Sequence, residues 1–130
     1  MEDKLELPES VAEFLAAVNA RDAARAGAFL TDDISYQFLV PHPAIEGRGA
    51  VVAALDKSLK EADAVRWEVV SFGMGESSAF VERLDRFWFG GRESAIECAG
   101  VFELRDGLIA AVRDYADLAT WRERKGTASR

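Results

Sequence analysis

Arg83 and Asp85 stand two apart in the run Glu82-Arg83-Leu84-Asp85-Arg86-Phe87. Asp114 comes near the end of the run Leu108-Ile109-Ala110-Ala111-Val112-Arg113-Asp114-Tyr115. Both runs read as strands, and side chains two apart on a strand share a face. Arg83 and Asp85 then point the same way as Val81 and Phe87, and Asp114 the same way as Ala110 and Val112. A charge on an otherwise apolar face is expensive to bury unless it is paired. If both faces turn to one core, the three residues form an Asp–Arg–Asp cluster in an apolar cavity. Such a cluster drives two carboxylates toward different pKa values, so that one serves as acid and the other as base. The plainer alternative for Arg83 and Asp85 is a surface salt bridge on an exposed strand.

Elements able to position these groups are legible in the pattern. Ser10 with Glu13 suggests a capping box ahead of a helix whose stripe is Val11, Phe14, Leu15 and Val18. Asp22 suits the cap of a short second helix from Ala23 to Leu30. Ile34 to Val40 reads as a strand stopped by Pro41 and Pro43. A third helix, from about Ala50 to Glu61, carries Val51, Val52, Leu55 and Leu59. Four strand-like stretches follow: Arg66 to Phe72, Ser78 to Phe89, Glu93 to Leu104 and Leu108 to Tyr115. Gly90-Gly91 and Asp106-Gly107 mark tight hairpins between the last three. The expectation is a single α+β domain over residues 1–130, ordered from about 8 to 121, with a frayed polar tail from Arg122. Three N-terminal helices pack on one face of a strongly curved, mixed or antiparallel sheet, leaving a cone whose mouth is a natural pocket.

Bulk composition narrows the partners. The chain has 130 residues, 49% of them hydrophobic, which suits a soluble domain with a real core. Its formal charge of −7 argues against nucleic acid and against an anionic membrane surface. Cys98 is the only cysteine and His42 the only histidine. That excludes an internal disulfide and a multi-histidine metal site. The first residues lack a basic and then apolar leader, and no apolar run approaches a membrane span. The cytoplasm is the expected compartment.

Several stretches resemble landmarks of the limonene-epoxide hydrolase family, within the SnoaL-like, NTF2-like superfamily. They are Tyr36-Gln37, Glu46-Gly47-Arg48, the run from Glu82 to Phe87, Gly100-Val101-Phe102-Glu103, and Arg113-Asp114-Tyr115-Ala116-Asp117-Leu118. The likeness extends from about Val11 to Trp121. It implies the cone fold, and it implies that Asp114 is a base taking a proton from water, Asp85 an acid protonating the epoxide oxygen, and Arg83 the bridge. Tyr36 would be a water ligand. No cofactor is implied. The chain departs from the family at two places: Phe38 stands where a water-holding Asn is expected, and Val112 where a Trp is frequent.

The function expected is water addition to a small apolar epoxide of terpenoid, steroid-like or polyketide type. Phe38, Phe87, Ile96, Cys98, Phe102, Val112 and Trp121 are the expected pocket wall. One rival is an isomerase or cyclase of the ketosteroid-isomerase or SnoaL kind, in which an Asp abstracts a proton beside a carbonyl. Another is a non-catalytic module that uses the cone as a ligand pocket or dimer surface. A homodimer is expected through the opposite face of the sheet, with Leu84, Trp88, Val101 and Tyr115 at or near the interface.

Overall fold

The computed structural model describes residues 6–128. The described residues begin with α1 (Glu9–Asn19) and α2 (Ala23–Gly27), then β1 (Leu30–Gln37), a short β2 (Ile45–Glu46) and α3 (Arg48–Glu61). The strands β3 (Ala64–Met74), β4 (Ser78–Phe89), β5 (Arg92–Arg105) and β6 (Leu108–Tyr115) follow, and α4 (Leu118–Ala128) ends the described chain. These make an α+β fold of four helices on one six-stranded mixed sheet, ordered β2-β1-β6-β5-β4-β3. β1 runs parallel to β6, and every other neighbouring pair is antiparallel.

Local chemistry explains most of these elements. The α1 stripe of Val11, Phe14, Leu15 and Val18 is buried as its spacing requires. The expected Ser10–Glu13 capping box does not form. The helix starts two residues earlier, behind Pro8, and Glu13 instead pairs with Arg25 of α2 at 3.0 Å. Asp22 does cap α2, accepting from the Arg25 backbone N–H at 3.0 Å, but that helix stops at Gly27 and Leu30 already belongs to β1. Arg48 fastens the start of α3 to β1, donating from Nε and Nη2 to the Leu30 carbonyl.

The strands alternate as a half-buried sheet should. Gly90-Gly91 and Asp106-Gly107 all adopt positive φ, the conformation that two-residue hairpins need. β6 holds one irregularity: Glu103 faces Ala111 while Leu104 faces Ile109, so Ala110 is an extra residue on β6. This corrects the face expected for Ala110. The bulge resets the alternation, and Ile109, Val112 and Asp114 are the buried positions.

The core lies between the helices and one face of the sheet, where Phe14, Leu55 and Leu59 meet Val81, Phe102 and Val112. On the other face Phe80 and Tyr115 are exposed, and Leu84, Trp88 and Val101 are half-buried. The tail expected to fray from Arg122 is instead part of α4, so ordered structure runs past residue 121. Asp117 caps this helix through the Ala119 backbone N–H and the Thr120 hydroxyl. Arg124 donates to the Ala95 carbonyl and to Glu97 on β5, and Lys125 pairs with Glu61 on α3. No helix among the described residues is long and apolar enough to cross a membrane.

Candidate active site

Arg83 lies on β4 and is the largest fully buried side chain of the molecule's described part, only 1% exposed. A buried guanidinium needs acceptors on every edge. Nε donates to Asp85 Oδ1 at 2.9 Å and Nη2 to Asp85 Oδ2 at 3.0 Å, a two-pronged contact between residues two apart on one strand. Nη2 also reaches the Cys98 sulfur at 3.2 Å. Nη1 reaches toward β6 and forms an ion pair with Asp114 Oδ1 at 3.3 Å, looser than a well-aligned hydrogen bond. The plane of the guanidinium is backed by the Trp67 ring, 4.6 Å from Cζ. Trp67 is on β3 directly across from Asp85. The three charged residues named from their spacing are thus one buried cluster.

Electrostatics within the cluster follow from burial. Burial raises the Asp114 carboxyl and the Asp85 charge raises it further; Arg83 and the nearby Tyr36 hydroxyl lower it, and the balance is about 6. For Arg83, burial opposes its charge, but Asp114 and Asp85 outweigh that cost and hold it protonated well beyond its ordinary range. Burial pushes the Cys98 thiol up, as do the Asp114 and Asp85 charges, so it stays a thiol rather than a nucleophilic thiolate. The Tyr36 hydroxyl is likewise raised, first by burial and then by Asp114.

A cavity of about 250 Å³ opens over this cluster, with Asp85 and Asp114 in its lining. Of the wall expected from the sequence, Phe38, Phe87, Ile96, Cys98 and Trp121 line it. Phe102 and Val112 do not. Both face inward but lie deeper, with no exposed surface, Phe102 against Phe14 and Val112 opposite Tyr36 in the β1–β6 ladder. Strand parity gives the face of a residue but not its depth. Tyr36 is also outside the lining: it is fully buried and Phe38 stacks on it, ring centroids 4.1 Å apart. His42 is exposed in the loop after β1 and is not in the lining.

Other lining residues were not singled out in the sequence. Trp67 and Phe89 complete the apolar wall, and Leu118 joins Trp121 on α4. Trp67 alternates with Val65, which marks it as inward-facing, but its place beside Asp85 depends on the β3–β4 register. The mouth is polar, with Ser58, Glu61, Asp117 and Lys125. Lys125 spans it, 3.1 Å from Glu61 and 5.7 Å from the Phe89 ring. Among the described residues no group of three or more His, Cys, Asp or Glu side chains is placed to hold a metal ion.

Residues 11–112 match the SnoaL-like domain family. The fold is similar to that of an LEH-like epoxide hydrolase from M. tuberculosis, at 25% identity and a TM-score of 0.80, over 93% of this chain and 90% of that one. It is also similar to a protein of ketosteroid isomerase-like fold from Catenulispora acidiphila, solved with trimethylamine, at 17% identity and a TM-score of 0.82, over 93% and 95% of the two chains. A third likeness is to SalBIII, an epoxide hydrolase/cyclase-like enzyme of pyran ring formation in the polyether salinomycin, at 21% identity and a TM-score of 0.77, over 86% and 91%. The last two bear on the fold alone. With its NTF2-like sheet, its helices and the matched span in agreement, the chain belongs to the SnoaL-like domain family.

Proposed function

We propose that the protein is an epoxide hydrolase that adds water to a small apolar epoxide. The observation that carries this reading is the buried Asp85–Arg83–Asp114 cluster set in an otherwise apolar cavity. A passive apolar pocket has no need of two carboxylates. In this reading the carboxyl pair holds one proton before reaction, and Asp85 is the member that delivers it. Asp114 takes a proton from a bound water, and the water oxygen attacks an epoxide carbon. The C–O bond opposite breaks, its electron pair goes to the departing oxygen, and Asp85 gives that oxygen its proton. A diol leaves, and the pair, having given one proton and taken one, again holds a single proton. Each Asp85 oxygen accepts one bond from Arg83 and keeps a second lone pair where a proton can sit. The chemistry calls for no cofactor and no covalent intermediate. The likeness to the LEH-like epoxide hydrolase supports the reading.

A second reading is favoured by one observation. Phe38 covers Tyr36, so the cavity lacks the tyrosine and asparagine groups that would help to hold a water. A site poor in water ligands suits a reaction that uses no external water: epoxide opening by a hydroxyl of the same substrate, or proton transfer beside a carbonyl. A panel of epoxides and β,γ-unsaturated ketones separates the readings, with diol, cyclic ether and conjugated enone measured individually. Diol as the main product supports the hydrolase; cyclic ether or enone without diol overturns it. In the same proposal the protein is a two-fold homodimer joined through the outer sheet face.

A further inference from the structure

Arg83 and Asp114 are not on neighbouring strands. β5 lies between β4 and β6, so their backbones are about 10 Å apart, two strand spacings. The ion pair must therefore pass over β5. The residues of β5 beneath it are Cys98, directly across from Arg83, and Gly100, directly across from Asp114. Both belong to the buried set that alternates along β5 with Ile96 and Phe102.

Gly100 has no backbone reason to be glycine. It is absent from the glycines of positive φ, and its ladder on both sides is regular. A glycine inside a strand is destabilising relative to alanine. The reason for it is spatial. A Cβ at this position would lie 2.6 Å from Arg83 Nη1 and 2.8 Å from Asp114 Oδ1, with Phe102 Cε2 at 3.2 Å. Those first two atoms are the very ones that form the ion pair. Arg83 cannot easily yield, since it is held by Asp85 and Trp67, so Asp114 is the partner that must move away.

We infer that Gly100 is a positioning residue of this site: its missing side chain is the passage through which Arg83 on β4 reaches Asp114 on β6. The inference rests on the Asp–Arg–Asp reading of the site but not on the reaction assigned to it. A methyl group at position 100 separates the pair, and Asp114 loses the cation that holds its basicity down.

The test is a heteronuclear NMR titration of the Asp114 carboxyl in wild type and in Gly100→Ala. Wild type should titrate near 6, and the variant higher by about one unit or more, the usual effect of removing an opposite charge. The acid limb of any diol-forming activity should move with it. Gly73→Ala, at a β3 glycine with open space around it, should leave the titration unchanged. A folded Gly100→Ala protein with the wild-type titration overturns the inference. If that variant does not fold, Gly100→Ala combined with Arg83→Ala and Asp114→Ala should, because both atoms that the methyl would strike are then gone. A combined variant that also fails to fold, where Arg83→Ala with Asp114→Ala alone folds, overturns it as well. An absence of diol from the wild type contradicts the proposed reaction and leaves the titration to decide on Gly100.

Discussion

The most consequential single side chain is Asp114, because its burial has opposite effects on activity and on stability. A base near 6 is mostly ionised at neutral pH yet still basic enough to draw a proton from water. Diol formation should therefore rise through pH 6 and then level, as a pH–rate profile would record. A rate falling through pH 6 would instead make Asp114 the acid. For folding the sign is reversed. The folded pKa lies above the ordinary value of 3.8, so stability is fullest below that value and is lost as pH rises toward 6. Two pKa units correspond to about 3 kcal/mol. Asp114→Asn should thus lower diol formation by about 10²- to 10⁴-fold, yet raise stability at pH 7 by about that amount, a gain that disappears near pH 4. Denaturant unfolding at the two pH values checks it. Phe38→Asn belongs to the same scale. It removes the ring stacked on Tyr36 and supplies an amide to the cavity wall, so diol formation should hold or rise, with rates on one epoxide as the measure.

At the scale of elements, α4 closes the site and was the least legible part of the chain. Leu118, Trp121 and Lys125 line the cavity from one side of this helix, and Trp121 sits 5.0 Å from the Phe87 ring. Trp121→Ala should raise KM about tenfold, taking about 1.5 kcal/mol for the lost apolar contact, with kcat less affected; steady-state kinetics would show the split. The sequence around α4 is polar, and its order depends on Glu61 and Glu97, partners far away in the chain. Only Asp117, a cap before Leu118, signals it locally. β4 and β6, by contrast, keep the bounds read from alternation and from their glycine turns. Parity on those strands also brought Arg83, Asp85 and Asp114 to one face. What parity could not supply was depth and register, which is why Phe102 and Val112 were expected in the wall and Trp67 was not.

For the whole molecule, the outer sheet face remains to be covered. Phe80 and Tyr115 are 49% and 45% exposed there, beside half-buried Leu84, Trp88 and Val101. The same face carries charges of both signs in pairs, Arg86 with Glu68 and Glu93, and Arg113 with Glu103. A second copy related by a two-fold axis can match such a surface, apolar to apolar and Arg to Glu. The protein should therefore sediment at twice its 14.3 kDa at micromolar concentration, and Leu84→Asp should reduce it to the single-chain mass. A wild-type protein of single-chain mass would contradict the pairing.

The direct test of the central claim is where the new oxygen comes from. A single turnover of an apolar epoxide in heavy-oxygen water, with enzyme in excess, should give a diol that carries the heavy isotope in its new hydroxyl, because water attacks the carbon directly. A first-turnover diol containing ordinary oxygen drawn from the protein would mean that a carboxylate is the nucleophile. That outcome, or a ring-closed product with no diol at all, would contradict the account.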